Sequence, residues 1–192
     1  MPPANIGRYQ VIEPLGAGLL GESLLAREPA SGRTVVLHVM APPLQAAPQA
    51  LACLAQQAAR VQALDCPGVE SVLGCSAPGE APAYLVTEHL PGGPLLRWLA
   101  QAPAQRSAQV RPLLGQVAEA LAEAHRAGLF HGDLHPGNLL LFAPSEGPPR
   151  ALVSGFEVAA VAAAASAAGL PISERRPEVL ACRAPEQPGG AE

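Results

Sequence analysis

The residues best suited to chemistry are Asp133 and Asn138 in the stretch HGDLHPGN, His131 to Asn138. They sit on a loop that follows a long helical pattern and precedes a short strand. Such a loop can set one oxygen on a substrate hydroxyl and another on a metal ion. An ordinary polar turn is the other reading of the same residues. A second stretch, GAGLLG, holds Gly16, Gly18 and Gly21 in a G-x-G-x-x-G pattern. A dinucleotide-binding unit would place that pattern between a strand and a helix. Here strand patterns flank it on both sides. A glycine hairpin of this kind either folds over nucleotide phosphates, because missing side chains let backbone N–H groups approach, or is a flexible turn.

The elements that must position these residues are legible. Residues 8 to 41 read as three strands, RYQVIEPLG, ESLLARE and TVVLHVM, with PASGR as a turn. In the third, His38 shares a face with Val36. Residues 47 to 64 read as a helix with Leu51, Leu54, Ala58, Val61 and Leu64 on one side. Strands at 69–74 and 83–89 follow, and LPGGP breaks the chain after them. A short helix spans about Leu95 to Gln101. A long helix runs from about Ser107 to Ala127, with Val110, Leu114, Val117, Leu121 and Ala124 on its apolar face. Ser107 suits its N-cap and Gly128 its stop, although Pro112 argues for a start nearer Arg111. Leu139 to Phe142 and Ala151 to Val153 are short strands.

Composition narrows the chemistry. The 192 residues carry a net charge of −4, all 12 cationic residues are Arg, and there is no Lys. Chemistry that needs a Lys amine is excluded. Asp occurs only at 65 and 133. The scattered Arg residues and mild acidity argue against a nucleic-acid partner. Cys53, Cys66, Cys75 and Cys182 form no C-x-x-C pair, and the N-terminus shows no apolar signal core. Reduced thiols and a cytoplasmic location follow as expectations. The Ala-rich run Val158 to Leu170 is shorter than the ~20 apolar residues of a spanning helix.

Together these motifs resemble the bacterial Ser/Thr protein kinase family from about Gly7 to Gln187. IGRYQVIEPLGAGLLGESLLARE is similar to its opening strands and Gly-rich loop, and YLVTEHLPGG to its hinge, with Thr87 as gatekeeper. HGDLHPGNLLL is similar to its catalytic loop, and RAPEQ to the motif that closes its activation segment. The resemblance implies an α+β, protein-kinase-like fold. It implies a five-stranded antiparallel N-lobe sheet with one helix (residues 1–90) and a partial, mostly helical C-lobe (91–192). It also implies ATP and Mg2+ as cofactors. Gly16, Gly18 and Gly21 would cover the phosphates. Leu15, Ser23 and Val36 would roof the adenine, Leu140 would form its floor, and backbone groups of Glu88 and Leu90 would meet its edge. Asp133 would be the catalytic Asp, Asn138 a magnesium ligand, and Ala184-Pro185-Glu186 an anchor.

The departures from that pattern shape the functional expectation. His38 stands where the third strand carries the phosphate-holding Lys, and Gln57 where the following helix carries its Glu partner. A neutral hydrogen bond between them would be the most that remains. Gly155-Phe156-Glu157 stands for D-F-G, so one metal ligand is lost, and Glu157 falls two residues late. Gly132 and His135 replace the usual Arg and Lys of the catalytic loop. The expected function is therefore a pseudokinase that acts through a protein partner, with weak or absent ATP binding. An active kinase with unconventional phosphate contacts, a small-molecule phosphotransferase and a non-functional truncated fragment are the alternatives. The resemblance leads one to expect further C-lobe helices after RAPEQ, and the expectation is that without them an apolar face is left for a partner or second copy. The Ala159 to Gly169 tract, in the activation segment, predicts a short helix.

Overall fold

The computed structural model describes residues 4–101, 103–142, 148–170 and 182. Ala184-Pro185-Glu186 lies outside them. The N-terminal part is an antiparallel sheet of β1 (Asn5–Ile6), β2 (Tyr9–Ala17), β3 (Gly21–Arg27), β4 (Thr34–Met40), β5 (Val72–Cys75) and β6 (Tyr84–Glu88). Their spatial order is β1-β2-β3-β4-β6-β5. The sheet thus has six strands, not the expected five. The extra one, β1, is folded back on β2 by Gly7, which has φ +52° and whose added Cβ would collide with the Tyr84 hydroxyl. Only glycine satisfies both conditions.

Alternation in β4 decides which residues face the cleft. Val35, Leu37 and Val39 pack with Tyr9, Leu24, Ala26, Tyr84 and Val86 in one apolar cluster. Val36 and His38 therefore point the other way, as period-two geometry requires. A short helix α1 (Pro42–Gln45) leads into α2 (Pro48–Gln62). Pro48 suits the first turn, where its missing N–H costs nothing. α2 buries Ala50, Leu54, Ala58 and Val61.

The C-terminal part comprises β7 (Gly92–Pro94), α3 (Leu95–Gln101), α4 (Pro103–Arg126), β8 (Leu139–Phe142), β9 (Arg150–Val153) and α5 (Val158–Ala167). Strands β7, β8 and β9 form a small sheet in that order. α4 begins at Pro103, earlier than the sequence suggested, because proline is well placed at a first helical position. Pro112 then lies inside the helix, where it removes one backbone hydrogen bond. The buried row is Leu113, Val117, Ala120 and Ala124. Leu114, expected on that face, is 51% exposed. The stripe is set by what packs on α4, namely β9 and Gly68, whose added Cβ would stand 2.6 Å from the Ala120 Cβ.

One apolar core joins the two parts. It includes Leu54, Val61, Leu113, Val117, Val153, Phe156 and Val161. The connection after α2 is stitched to β9 by a parallel bridge between Val69 and Val153 and by Glu70 N–H donating to the Val153 carbonyl at 2.9 Å. The Ala-rich tract forms the predicted helix, α5, which buries Val161, Ala162 and Ala165 and packs on α2. No helix among the described residues is long and apolar enough to cross a membrane.

Candidate functional site

The sheet register builds the upper wall of the site. Ser23 on β3 pairs with His38 on β4, and Val36 pairs with Thr87 on β6. The His38 ring lies between two hydroxyls. Ser23 Oγ is 2.9 Å from Nδ1, and Thr87 Oγ1 is 3.1 Å from Nε2. Burial pushes the His38 pKa down to about 4. The ring is neutral at pH 7 and both nitrogens are already engaged. The Gln57 side chain, in the middle of α2, makes no hydrogen bond among the described residues. The anticipated Gln57–His38 contact is therefore not made, because the two hydroxyls satisfy the imidazole.

The polar chain continues behind Thr87. Its hydroxyl also hydrogen-bonds the Glu70 carboxyl, which is only 8% exposed. Burial, followed by the nearby Glu157, pushes the Glu70 pKa up to about 8, against the Thr87 hydrogen bond. Glu70 thus keeps its proton at neutral pH. Burial also raises the Glu157 pKa, and that side chain is close enough to act on Glu70. Sequence reasoning missed Glu70. Its signal was a carboxyl inside the strand-like run Val69-Glu70-Ser71-Val72, where burial demands a partner.

The lower wall is the loop after α4. His131 is buried, with Nε2 2.8 Å from the Ser154 carbonyl, and Nδ1 accepts the Asp133 N–H at 3.2 Å. Those partners fix the Nε2–H tautomer. The His131 ring packs on Phe156 with centroids 4.9 Å apart. Asp133 is buried, and its Oδ2 is 4.0 Å from His135 Nε2. Burial lowers the His135 pKa, so His135 adds no full positive charge there at neutral pH. Asn138 Nδ2 donates to the Asp133 carbonyl at 2.9 Å, which ties the two residues into one unit.

Gly155 stands beside that unit with φ +81°, and a Cβ there would lie 3.4 Å from the Asn138 carboxamide. Glycine supplies no side-chain oxygen at that place. Glu157 is buried at the start of α5, near Glu70. No group of three or more His, Cys, Asp or Glu residues able to hold a metal occurs among the described residues. The donor set does not fit a pair of magnesium ions.

The glycine turn divides its work. A Cβ at Gly21 would collide with the Val39 carbonyl, so this glycine serves strand packing. Gly16 and Gly18 have open space around them. Gly18 N–H donates to the Gly21 carbonyl at 2.7 Å, so that amide closes the hairpin. Leu15 is 50% exposed, Val36 is buried, and Leu140 is half-buried on β8. Glu88 N–H is taken by the Ser71 carbonyl at 3.0 Å, whereas Leu90 makes no backbone hydrogen bond among the described residues. Glu88 and Leu90 also line a cavity of 540 Å³ bordered by Cys66, Glu70 and Arg150, which excludes His38, Asp133 and Asn138.

The protein kinase domain family model matches residues 9–164. The chain belongs to the protein kinase domain family. It is 31% identical over 188 residues to serine/threonine-protein kinase Pkn2 of Myxococcus xanthus, covering 96% of this chain and 22% of Pkn2. It is 31% identical over 151 residues to PknJ of Mycobacterium tuberculosis, covering 79% of this chain and 25% of PknJ. The chain thus spans about a quarter or less of the length of these kinases. Among solved structures, a double mutant of the Mycobacterium tuberculosis PknI kinase domain superposes with a TM-score of 0.67. That match has 23% identity and covers 81% of this chain and 62% of the other. It shows the kinase fold. RAPEQ lies beyond the residues that the family model matches.

Proposed function

We propose that this kinase-family domain acts in the cytoplasm by binding a protein partner and transfers phosphate poorly or not at all. The observation that carries the proposal is His38, a neutral ring held by Ser23 and Thr87 at the position where the family places its phosphate-holding Lys. Phosphoryl transfer depends on positioning and on neutralising charge. Losing one preorganised electrostatic contact costs roughly 3–4 kcal/mol, or about 10²–10³ in rate. Gly155 removes a second such contact. ATP and Mg2+, the family's cofactors, would meet a cleft with neither that cation nor a full ligand set. Leu114 and Phe130, 51% and 71% exposed, support a role in contact with another protein.

One observation favours the alternative of an active enzyme. Asp133 and Asn138 keep a mutual hydrogen-bonded arrangement suited to a substrate hydroxyl and one metal ion. Incubation with radiolabelled ATP and a generic protein acceptor separates the two. The proposal expects label no higher than that of Asp133→Asn. Label well above that background, lost in Asp133→Asn, would make the domain an enzyme.

A further inference from the structure

We infer that the cavity bordered by the connection after α2, Leu90 and β9 is a site for a small primary amine with an apolar body, its ammonium paired with Glu70. The cavity is separate from the cleft, since Val36, His38, Asp133, Asn138 and Leu140 take no part in its wall. The inference goes beyond the proposed function and does not rest on it.

Shape selects the body of the ligand. The cavity measures 540 Å³, a size suited to a small molecule. Val61, Val69, Val72 and Leu152 are buried on its wall, and Leu90 and Phe142 are half-buried there. Gln62, Asp65, Ser71 and Arg150 are exposed at its border. The bridge between Val69 and Val153 fixes the connection against β9, so the wall is preformed. Such a wall accepts an apolar body from a mouth lined by polar groups.

Charge selects the head group. Glu70 lies on the wall, 8% exposed, with Thr87 as its one side-chain partner among the described residues. A carboxyl has capacity for further bonds. The charges acting on it are those of Glu157 at the start of α5 and Glu88 on β6, both acidic. Asp65 is a third carboxyl on the lining, and the Cys66 thiol stays protonated through burial. Across Thr87, His38 is neutral. Arg150 is the one cation among the lining residues. Its Nη2 donates to the Pro67 carbonyl at 3.2 Å, and it is not among the groups acting on Glu70. A cation is what the surroundings of Glu70 lack.

An ammonium brings three donors and no acceptor, which matches this set of carboxyls. Burying it is costly unless a counter-charge is in place. Glu70 can provide one. Its carboxyl holds a proton at neutral pH, because burial and then Glu157 push its pKa up to about 8. As the ammonium enters, that O–H bond breaks, the proton passes to solvent and a carboxylate–ammonium pair remains. Binding is therefore coupled to release of a proton. An alcohol of the same shape would leave the carboxyl protonated.

Isothermal titration of the full chain at neutral pH with 2-phenylethylamine, and with 2-phenylethanol as its uncharged counterpart, tests the inference. The amine should bind with a Kd of about 1 mM or tighter, and at least tenfold more tightly than the alcohol. Titration in phosphate and in HEPES, whose ionisation heats differ, should show about one proton released per amine bound. Affinity for the amine should tighten as pH rises from about 6 to about 8. Glu70→Gln should weaken the amine at least tenfold, abolish proton release and leave the alcohol unchanged. Leu90→Trp keeps the carboxyl but adds bulk at the wall, and should weaken both ligands; it serves as the test should Glu70→Gln not fold. Equal binding of amine and alcohol, no saturable binding of the amine at millimolar concentration, or an amine affinity unchanged in either variant would overturn the inference.

Discussion

Gly132 and Ala159 meet so closely that a Cβ on Gly132 would stand 2.8 Å from the Ala159 Cβ. Gly132 also has φ +69°. One residue lies in the catalytic loop and the other in the first turn of α5. The glycine in HGD and the alanine tract are therefore a matched pair. The loop passes close under α5 only because one partner has no side chain and the other has a single methyl. An arginine, which the family resemblance implies at this position, would not fit against this helix.

That contact makes the first prediction. Gly132→Ala should lower stability by about 1–3 kcal/mol, combining the positive φ with the clash. Ala159→Gly in the same chain should recover part of the loss. A double-mutant cycle by urea denaturation should give a coupling of at least about 0.5 kcal/mol. Strict additivity would show that the two residues do not touch.

The Ser23–His38–Thr87–Glu70 chain predicts unequal costs along its length. Thr87 is 2% exposed and serves both His38 and Glu70. Thr87→Val should therefore cost about 1–3 kcal/mol, the penalty for orphaning buried polar groups. Ser23→Ala, at a half-buried position with one partner, should cost less. Denaturant midpoints of the two variants check the order.

The pH dependence follows from Glu70. Its native pKa lies at about 8 against an ordinary value of 4.5. The native state therefore holds a proton that the unfolded state releases, and stability falls as pH rises from about 4.5 to about 8. Glu70→Gln should remove that fall, raising the melting temperature at pH 8 by more than at pH 5. His38 works on the acid side. Its native pKa of about 4, against 6.5, means that stability declines as pH drops from about 6.5 to about 4. Melting curves of both chains from pH 4 to 8.5 separate the two contributions.

Much of this arrangement was legible in the sequence, and the parts that were not share a cause. Alternation in TVVLHVM put His38 on the face of Val36, and the alanine tract announced α5, because both are local patterns. The Asp133 and Asn138 loop was legible from its residue types and its place after a long helix. Leu114 was misplaced because α4 has several equivalent stripes and only its neighbours choose among them. Glu70 was overlooked, and Gln57 was assigned a bond that His38 does not make. Both depend on side chains that meet only after the sheet has paired. The small strand β1 escaped notice because two residues carry no periodicity.

The central claim is that this cleft no longer grips a metal-bound triphosphate, and the magnesium dependence of ATP binding tests it most directly. Titration of the full chain with ATP in 10 mM Mg2+ (about tenfold above typical assay nucleotide) and again in EDTA should give the same weak or undetectable affinity. A Kd that tightens tenfold or more with Mg2+ would show that Asn138 and its neighbours still hold the metal, and would contradict the account.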